Sequence, residues 1–181
     1  LQFQSGDLIS DVKQALELSG LAPERLELEI TEGLMLDNDD GIQGQLEQLQ
    51  AMGINIALDD FGTGYSSLNY LWRFPFDRIK IDRSFVLGMS ESEQAKDILK
   101  TIVSLAATMK LPITAEGIET PEQLAYLTQL GCQLGQGFYL GRPQPDTEVA
   151  ATLITNFQLG LPEDSTDTAK ITPIGKLANT G

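Results

Sequence analysis

Carboxylates dominate the stretches of this sequence whose residue types could do chemistry. Glu29 and Glu32 stand in ELEITE, Asp59 and Asp60 in LDDFG, Asp82 in KID, and Glu116 and Glu119 in AEGIE. Lys80 is the cation set among them. Two adjacent acids at a strand's end, joined by acids from neighbouring strands, can bridge a pair of divalent ions roughly 3.5–4 Å apart. Such a pair activates a water and neutralises charge on a phosphodiester during in-line attack, and a nearby lysine orients that water or stabilises charge.

Each piece alone has a plainer reading. A strand-end Asp pair serves as an ordinary helix N-cap, and a lone strand Glu is solvated or salt-bridged. The Gly-rich FGTGYSS lacks the GK[ST] ending of a phosphate-binding P-loop and reads as a turn. Trp72 and Phe74 read as packing anchors, and Cys132 as a small packed residue. What lifts the acids above these readings is convergence, because Glu29, Asp59, Lys80 and Glu116 fall on one face near the strands' C-terminal ends.

The composition narrows the chemistry. There is no histidine, which excludes Ser-His-Asp catalysis and His-ligated zinc or iron within this polypeptide. A bound metal would rest on carboxylates and carbonyls, which suit Mg²⁺, Mn²⁺ or Ca²⁺. The net charge of −14 argues against binding long nucleic acid. Apolar runs break well before the roughly 20 residues of a membrane span, and the first residues lack a signal-peptide pattern. With one cysteine, which permits no internal disulfide, the expectation is a cytoplasmic protein without membrane contact.

The elements that must position these acids follow from periodicity. Leu8, Ile9, Val12 and Leu16 have helical spacing, and Gly20 ends that helix. Residues 26–31 alternate as a strand; Ile42, Leu46 and Leu49 mark a helix stopped by Gly53. Strands are expected over 54–59, 78–82, 113–116 and 134–140. Helices are expected near 68–72 and over 93–110, 121–130 and 147–157, the 121–130 helix opened by Pro121. Residues 1–158 read as one partial domain and 159–181 as a flexible tail rich in Pro, Asp, Ser, Thr and Gly.

This is a β/α alternation with parallel strands. An open doubly wound sheet would be apolar on both faces. Here Leu28, Ile30, Ile56, Leu58, Ile79, Ile81 and Ile113 form one aliphatic face, while the opposite face gathers the acids and Lys80. A TIM-like (β/α) barrel explains that asymmetry, with polar residues at its C-terminal mouth. About five strands are visible where a closed barrel needs eight, so an incomplete barrel is expected.

The ordered series ELEITE, ALDDFGTGYSSL, FDRIKIDRSFV, ITAEGIET and GCQLGQGFYLGRP resembles the motif series of the EAL-domain family over about residues 1–145. The resemblance implies a TIM-like barrel that hydrolyses cyclic di-GMP to linear pGpG with Mg²⁺ or Mn²⁺. By position it implies that Glu29, Asp59, Asp60 and Glu116 are metal ligands, with Asp59 bridging both ions. Lys80 and Glu116 match the residues that hold or deprotonate the attacking water, Glu116 being the general base. Glu119 and Asp82 match supporting acids, and Gln136 a glutamine near the ligand. Phe61, Gly62, Thr63, Gly64, Tyr65 and Ser66 resemble a loop that couples the metal site to dimerisation, with Glu32 as its anchor.

The signature Glu-Ala-Leu of the family, and an Asn ligand of the next strand, do not occur in this sequence. The resemblance therefore implies that the chain starts partway into the domain, with an incomplete two-metal site. A homodimer is expected, and sensory or GGDEF domains would lie upstream in the parent protein. Two other readings stay open: a non-catalytic module that senses cyclic di-GMP or binds a protein partner, and an incomplete chain with no independent role.

Overall fold

The computed structural model describes residues 8–35, 39–63, 68–145, 147–149 and 172–173. The chain divides into two compact units, 1–80 and 81–181. Strands alternate with helices in both.

The first unit opens with α1 (Leu8–Ser19), which buries Leu8 and Val12, one turn apart on the same face. Gly20 closes it at a φ of 67°, a left-handed conformation that costs glycine nothing. Strand β1 (Glu27–Thr31) runs directly into the short helix α2 (Glu32–Met35). Helix α3 (Asp39–Ala51) buries Ile42, Leu46 and Leu49 along one stripe. Strand β2 (Asn55–Phe61) pairs parallel with β1, placing Glu29 opposite Ala57 and Thr31 opposite Asp59. Helix α4 (Leu68–Arg73) then leads to β3 (Arg78–Ile81), whose last residue opens the second unit.

Ile30, Leu46, Leu49, Ile54, Ile56, Leu58 and Ile79 form the core of this unit. Each buried aliphatic side chain of this size contributes about 1.5–3 kcal/mol. Polar groups fix the strand starts. Asp77 Oδ2 accepts from the Ile56 amide at 2.8 Å and from Gln50 Nε2 at 2.9 Å. Arg78 Nε donates to Glu27 Oε2 at 2.7 Å.

In the second unit, Asp82 caps α5 (Arg83–Gly88), its Oδ1 accepting from the Ser84 amide at 3.0 Å. Helix α6 (Glu93–Met109) is capped by Ser92 and buries Leu99, Ile102, Val103 and Ala106. It ends at Lys110, in the left-handed region at a φ of 61°. Strand β4 (Ile113–Ala115) is buried at all three residues. Helix α7 (Pro121–Leu130) has Pro121 at its first turn and a reciprocal capping box between Thr120 and Gln123. Strand β5 (Leu134–Gly135) is parallel to β4, and β6 (Thr172–Pro173) is antiparallel to β5. Strand order is β1-β2-β3 in the first unit and β4-β5-β6 in the second.

Several expectations change. Asp82 leaves the strand and becomes a helix cap, because its carboxylate satisfies an otherwise orphaned amide of α5. The expected strand over 134–140 stops after Gly135, where the backbone turns: Tyr139 N–H donates to Ile118 O and Leu140 N–H to Gly137 O, each at 3.0 Å. Helices α2 and α5, of four and six residues, are too short to leave a periodic signature. Thr172 and Pro173 of the segment read as a tail form β6; its other residues lie outside the described ones. Of the helix expected over 147–157, residues 147–149 are helical, 150–157 lying outside the described residues. Among the described residues no helix is long and apolar enough to cross a membrane.

Candidate active site

In the first unit, three of the expected residues come together. Lys80 Nζ lies 2.8 Å from Glu29 Oε1 and 3.1 Å from Asp59 Oδ1. The parallel register of β1 and β2 carries Glu29 and Asp59 toward the same strand ends, and β3 delivers Lys80. The lysine side chain is only 4% exposed, Asp59 is 18% exposed and Glu29 48%. A buried ammonium requires paired charge, since desolvating it alone would cost several kcal/mol; the two acids supply that pairing.

The two contacts differ in kind. Asp59 Oδ1 is buried and receives no directed hydrogen bond, although Lys80 Nζ lies within ion-pair distance. That contact is Coulombic, and the oxygen retains lone pairs for a further cation. The donors gathered here are all carboxylate oxygens, the hard ligands that suit Mg²⁺ or Mn²⁺. The first-unit residues therefore fit a divalent ion by donor type. Among the described residues, however, no three His, Cys, Asp or Glu side chains are grouped closely enough to hold one.

Asp60 follows on β2 with a φ of 54°. Aspartate is one of the few non-glycine residues that tolerate this left-handed conformation. Its carbonyl accepts from both the amide and the hydroxyl of Thr63, at 3.2 and 2.8 Å, which fixes the turn after the strand. Phe61 is buried, and Gly62 takes a φ of 92°. Glu32 heads α2 and is buried. Gly64, Tyr65 and Ser66 lie outside the described residues.

In the second unit, Glu116 and Glu119 sit on one braced segment. Glu116 directly follows β4, half-buried, and its amide donates to Ile81 O at 3.1 Å. Gly117 has a φ of 72°, and a Cβ placed there would strike the side chain of Arg83. Ile118 is held at both backbone ends: its amide donates to Gln136 O and its carbonyl accepts from Tyr139 N–H, each at 3.0 Å. Gln136 in turn donates its amide to Ala115 O at 2.8 Å. The Glu119 side chain is exposed. Asp82 is committed to the Ser84 amide and hydroxyl.

Gln123 was not singled out by its sequence, yet it is among the few buried polar side chains. Its signal was present as Thr-x-x-Gln before an apolar run, the pattern of a capping box.

The comparisons with known proteins agree with this architecture. A family model described as EAL domain matches residues 1–143. The cyclic di-GMP phosphodiesterase NbdA of Pseudomonas aeruginosa is 45% identical over 138 residues, covering 76% of this chain and 18% of that protein. A solved structure, the PaMucR phosphodiesterase in complex with c-di-GMP, superposes with a TM-score of 0.78 at 46% identity, covering 82% of this chain and 60% of that one. The Klebsiella pneumoniae BlrP1 manganese/cy-diGMP complex superposes with a TM-score of 0.71 at 33% identity, covering 76% and 35%. This chain belongs to the EAL domain family. The likeness bears out the expected α/β, TIM-like barrel class with an incomplete set of strands. The chain spans less than a quarter of the length of the curated relative it matches.

Proposed function

We propose that this chain carries part of the catalytic machinery, with an incomplete two-metal site, of a metal-dependent phosphodiesterase that opens cyclic di-GMP to linear pGpG. The observation that carries the reading is the convergence of Glu29 and Asp59 on the buried Lys80. It is supported by the relatives, whose descriptions name that dinucleotide and, for BlrP1, manganese.

In this reading Glu29, Asp59, Asp60 and Glu116 hold Mg²⁺ or Mn²⁺, which when bound neutralises phosphate charge and lowers the pKa of water. Glu116 accepts the proton of the attacking water as general base. Lys80 holds that water in line, or stabilises the charge that builds on the phosphoryl oxygens. The water oxygen bonds to phosphorus, the bond from phosphorus to the sugar 3′ oxygen breaks, and that oxygen takes up a proton. Glu32, Asp82, Glu119 and Gln136 support the substrate or the segments that meet it. The loop over 61–66 couples the site to a homodimer partner, with sensory or GGDEF domains upstream in the parent protein. A cytoplasmic location agrees with a single, buried free thiol.

A second reading is favoured by the lack of any grouping of three potential metal ligands among the described residues. In it the chain binds cyclic di-GMP, or a protein partner, without turnover.

One experiment separates the two. The purified chain is incubated with cyclic di-GMP and Mn²⁺ and followed by chromatography, with the MucR phosphodiesterase as a positive control. Accumulating pGpG establishes the enzyme. Saturable binding by calorimetry without product supports the sensing module, and neither product nor binding sinks both.

A further inference from the structure

The segment carrying Glu116 and Glu119 is held through its backbone by a residue of α7. Gln123 is 4% exposed. Its Oε1 accepts from two successive amides, Glu119 N–H at 2.7 Å and Thr120 N–H at 3.0 Å. Its Nε2 donates to Val86 O on α5 at 3.4 Å, and its own amide donates to Thr120 Oγ1 at 3.2 Å. A capping box needs only the reciprocal Thr120–Gln123 pair. The additional bonds to Glu119 and Val86 go beyond what α7 requires for its own start.

Those bonds complete a brace. The 116–120 segment is fixed at its first residue by the Glu116 amide on Ile81 O and in its middle by Ile118 on Gln136 and Tyr139. At its end the Glu119 and Thr120 amides are taken by Gln123, and Thr120 O accepts from Leu124 N–H of α7 at 3.2 Å. Tight packing leaves little slack between these points, because Gly117 lies against Arg83 and Gly137 against the Ile118 backbone. We propose that Gln123 is a positioning residue. Through its side-chain oxygen it anchors the Glu119 and Thr120 amides to α7 and so fixes where these acids stand. Its importance to turnover rests on the phosphodiesterase reading; the anchoring itself does not.

The geometry separates the two ends of the amide. In Gln123→Glu, a carboxylate keeps both acceptor bonds, glutamate being the usual partner of a capping-box threonine, while the donation to Val86 O is replaced by an unfavourable oxygen–oxygen contact. In Gln123→Leu, the shape stays similar but the Glu119 and Thr120 amides lose their acceptor.

Amide hydrogen exchange by NMR, on the full chain without metal, reads the anchoring directly. In Gln123→Leu the Glu119 and Thr120 amides should exchange about tenfold faster or more, with Leu99 and Val103 of α6 unchanged. In Gln123→Glu the two amides should keep their protection. Retained protection in the leucine variant, or equal loss throughout α6 and α7, would overturn the anchoring. In turnover of cyclic di-GMP with Mn²⁺, the leucine variant should lose about tenfold or more in kcat at little change in KM, and the glutamate variant should recover most of it. An opened segment with undiminished kcat would overturn the positioning role. A wild-type chain that forms no pGpG removes the phosphodiesterase reading, and the catalytic role of Gln123 with it, while the exchange comparison still decides the anchoring.

Discussion

Lys80 Nζ lies 3.1 Å from Asp59 Oδ1, a buried oxygen to which no hydrogen bond is directed. The ammonium thus supplies the positive charge that this carboxylate requires, without saturating it. Glu29, the lysine's other partner, is half in water and can find solvation on its own. Asp59 is the group that depends on Lys80.

Replacing Lys80 with methionine should therefore destabilise the chain by about 2–4 kcal/mol, through the Asp59 charge left buried. Mn²⁺ should recover part of that loss, since a bound cation stabilises the folded state by mass action. Urea midpoints measured with and without Mn²⁺ test this. A variant as stable as wild type in metal-free buffer would show that the pair contributes nothing.

Glu116→Gln changes the side chain without disturbing the backbone anchor, because the contact to Ile81 is made by the amide. On the proposed reading, with Glu116 as general base, turnover of cyclic di-GMP should fall by about 10²–10⁴-fold, while calorimetric affinity for the dinucleotide stays largely intact. Equal loss of turnover and affinity would assign Glu116 to assembling the ligand or metal site instead.

Gly137 is pressed onto the backbone of Ile118, closer than a real Cβ can approach. Gly137→Ala should force the 116–120 segment and the 136–140 turn apart, since the obstacle is backbone and not a movable side chain end. The expected cost is about 1–3 kcal/mol. Loss of protection at the Ile118 and Tyr139 amides should accompany it in hydrogen exchange. Gly141→Ala, where a Cβ meets nothing, is the matched control and should be nearly silent.

Cys132 is buried, and burial pushes its thiol up to about 12 from an ordinary value of 9.0. The native thiol should resist iodoacetamide near pH 8 and react only on unfolding. The sign of its effect on stability follows from proton binding. Between the two values the folded chain holds a proton that the unfolded chain releases. The contribution is fully present below the unfolded value and is lost as pH rises through about 12, at up to about 1.4 kcal/mol per pH unit. Cys132→Ala should flatten that alkaline limb in urea titrations; an unchanged limb would assign it to other groups.

Much of this was legible in the sequence. The strict alternation of residues 26–31 and 54–59 set Glu29 and Asp59 on the face opposite each strand's aliphatic residues, as period-2 geometry requires, and the parallel register then brings those two faces together. Gly20 and Gly53 ended their helices in the left-handed conformation that the sequence signals. The ordered motifs from ELEITE to GFYLGRP specified the family.

Other features were decided only by the tertiary structure. Asp82 reads as a strand acid until the chain is seen to turn into α5, whose six residues are too few to show a period. The strand expected through Leu140 ends at Gly135, because the carbonyl of Ile118 takes the Tyr139 amide out of any ladder. The choice of Lys80 as the shared partner of Glu29 and Asp59 depends on contacts across three strands, 51 and 21 residues apart in sequence. Local propensity carries no information about such pairs. Gln123 is the clearest case: its cap is written in four consecutive residues, but its hold on Val86 exists only once α5 and α7 pack.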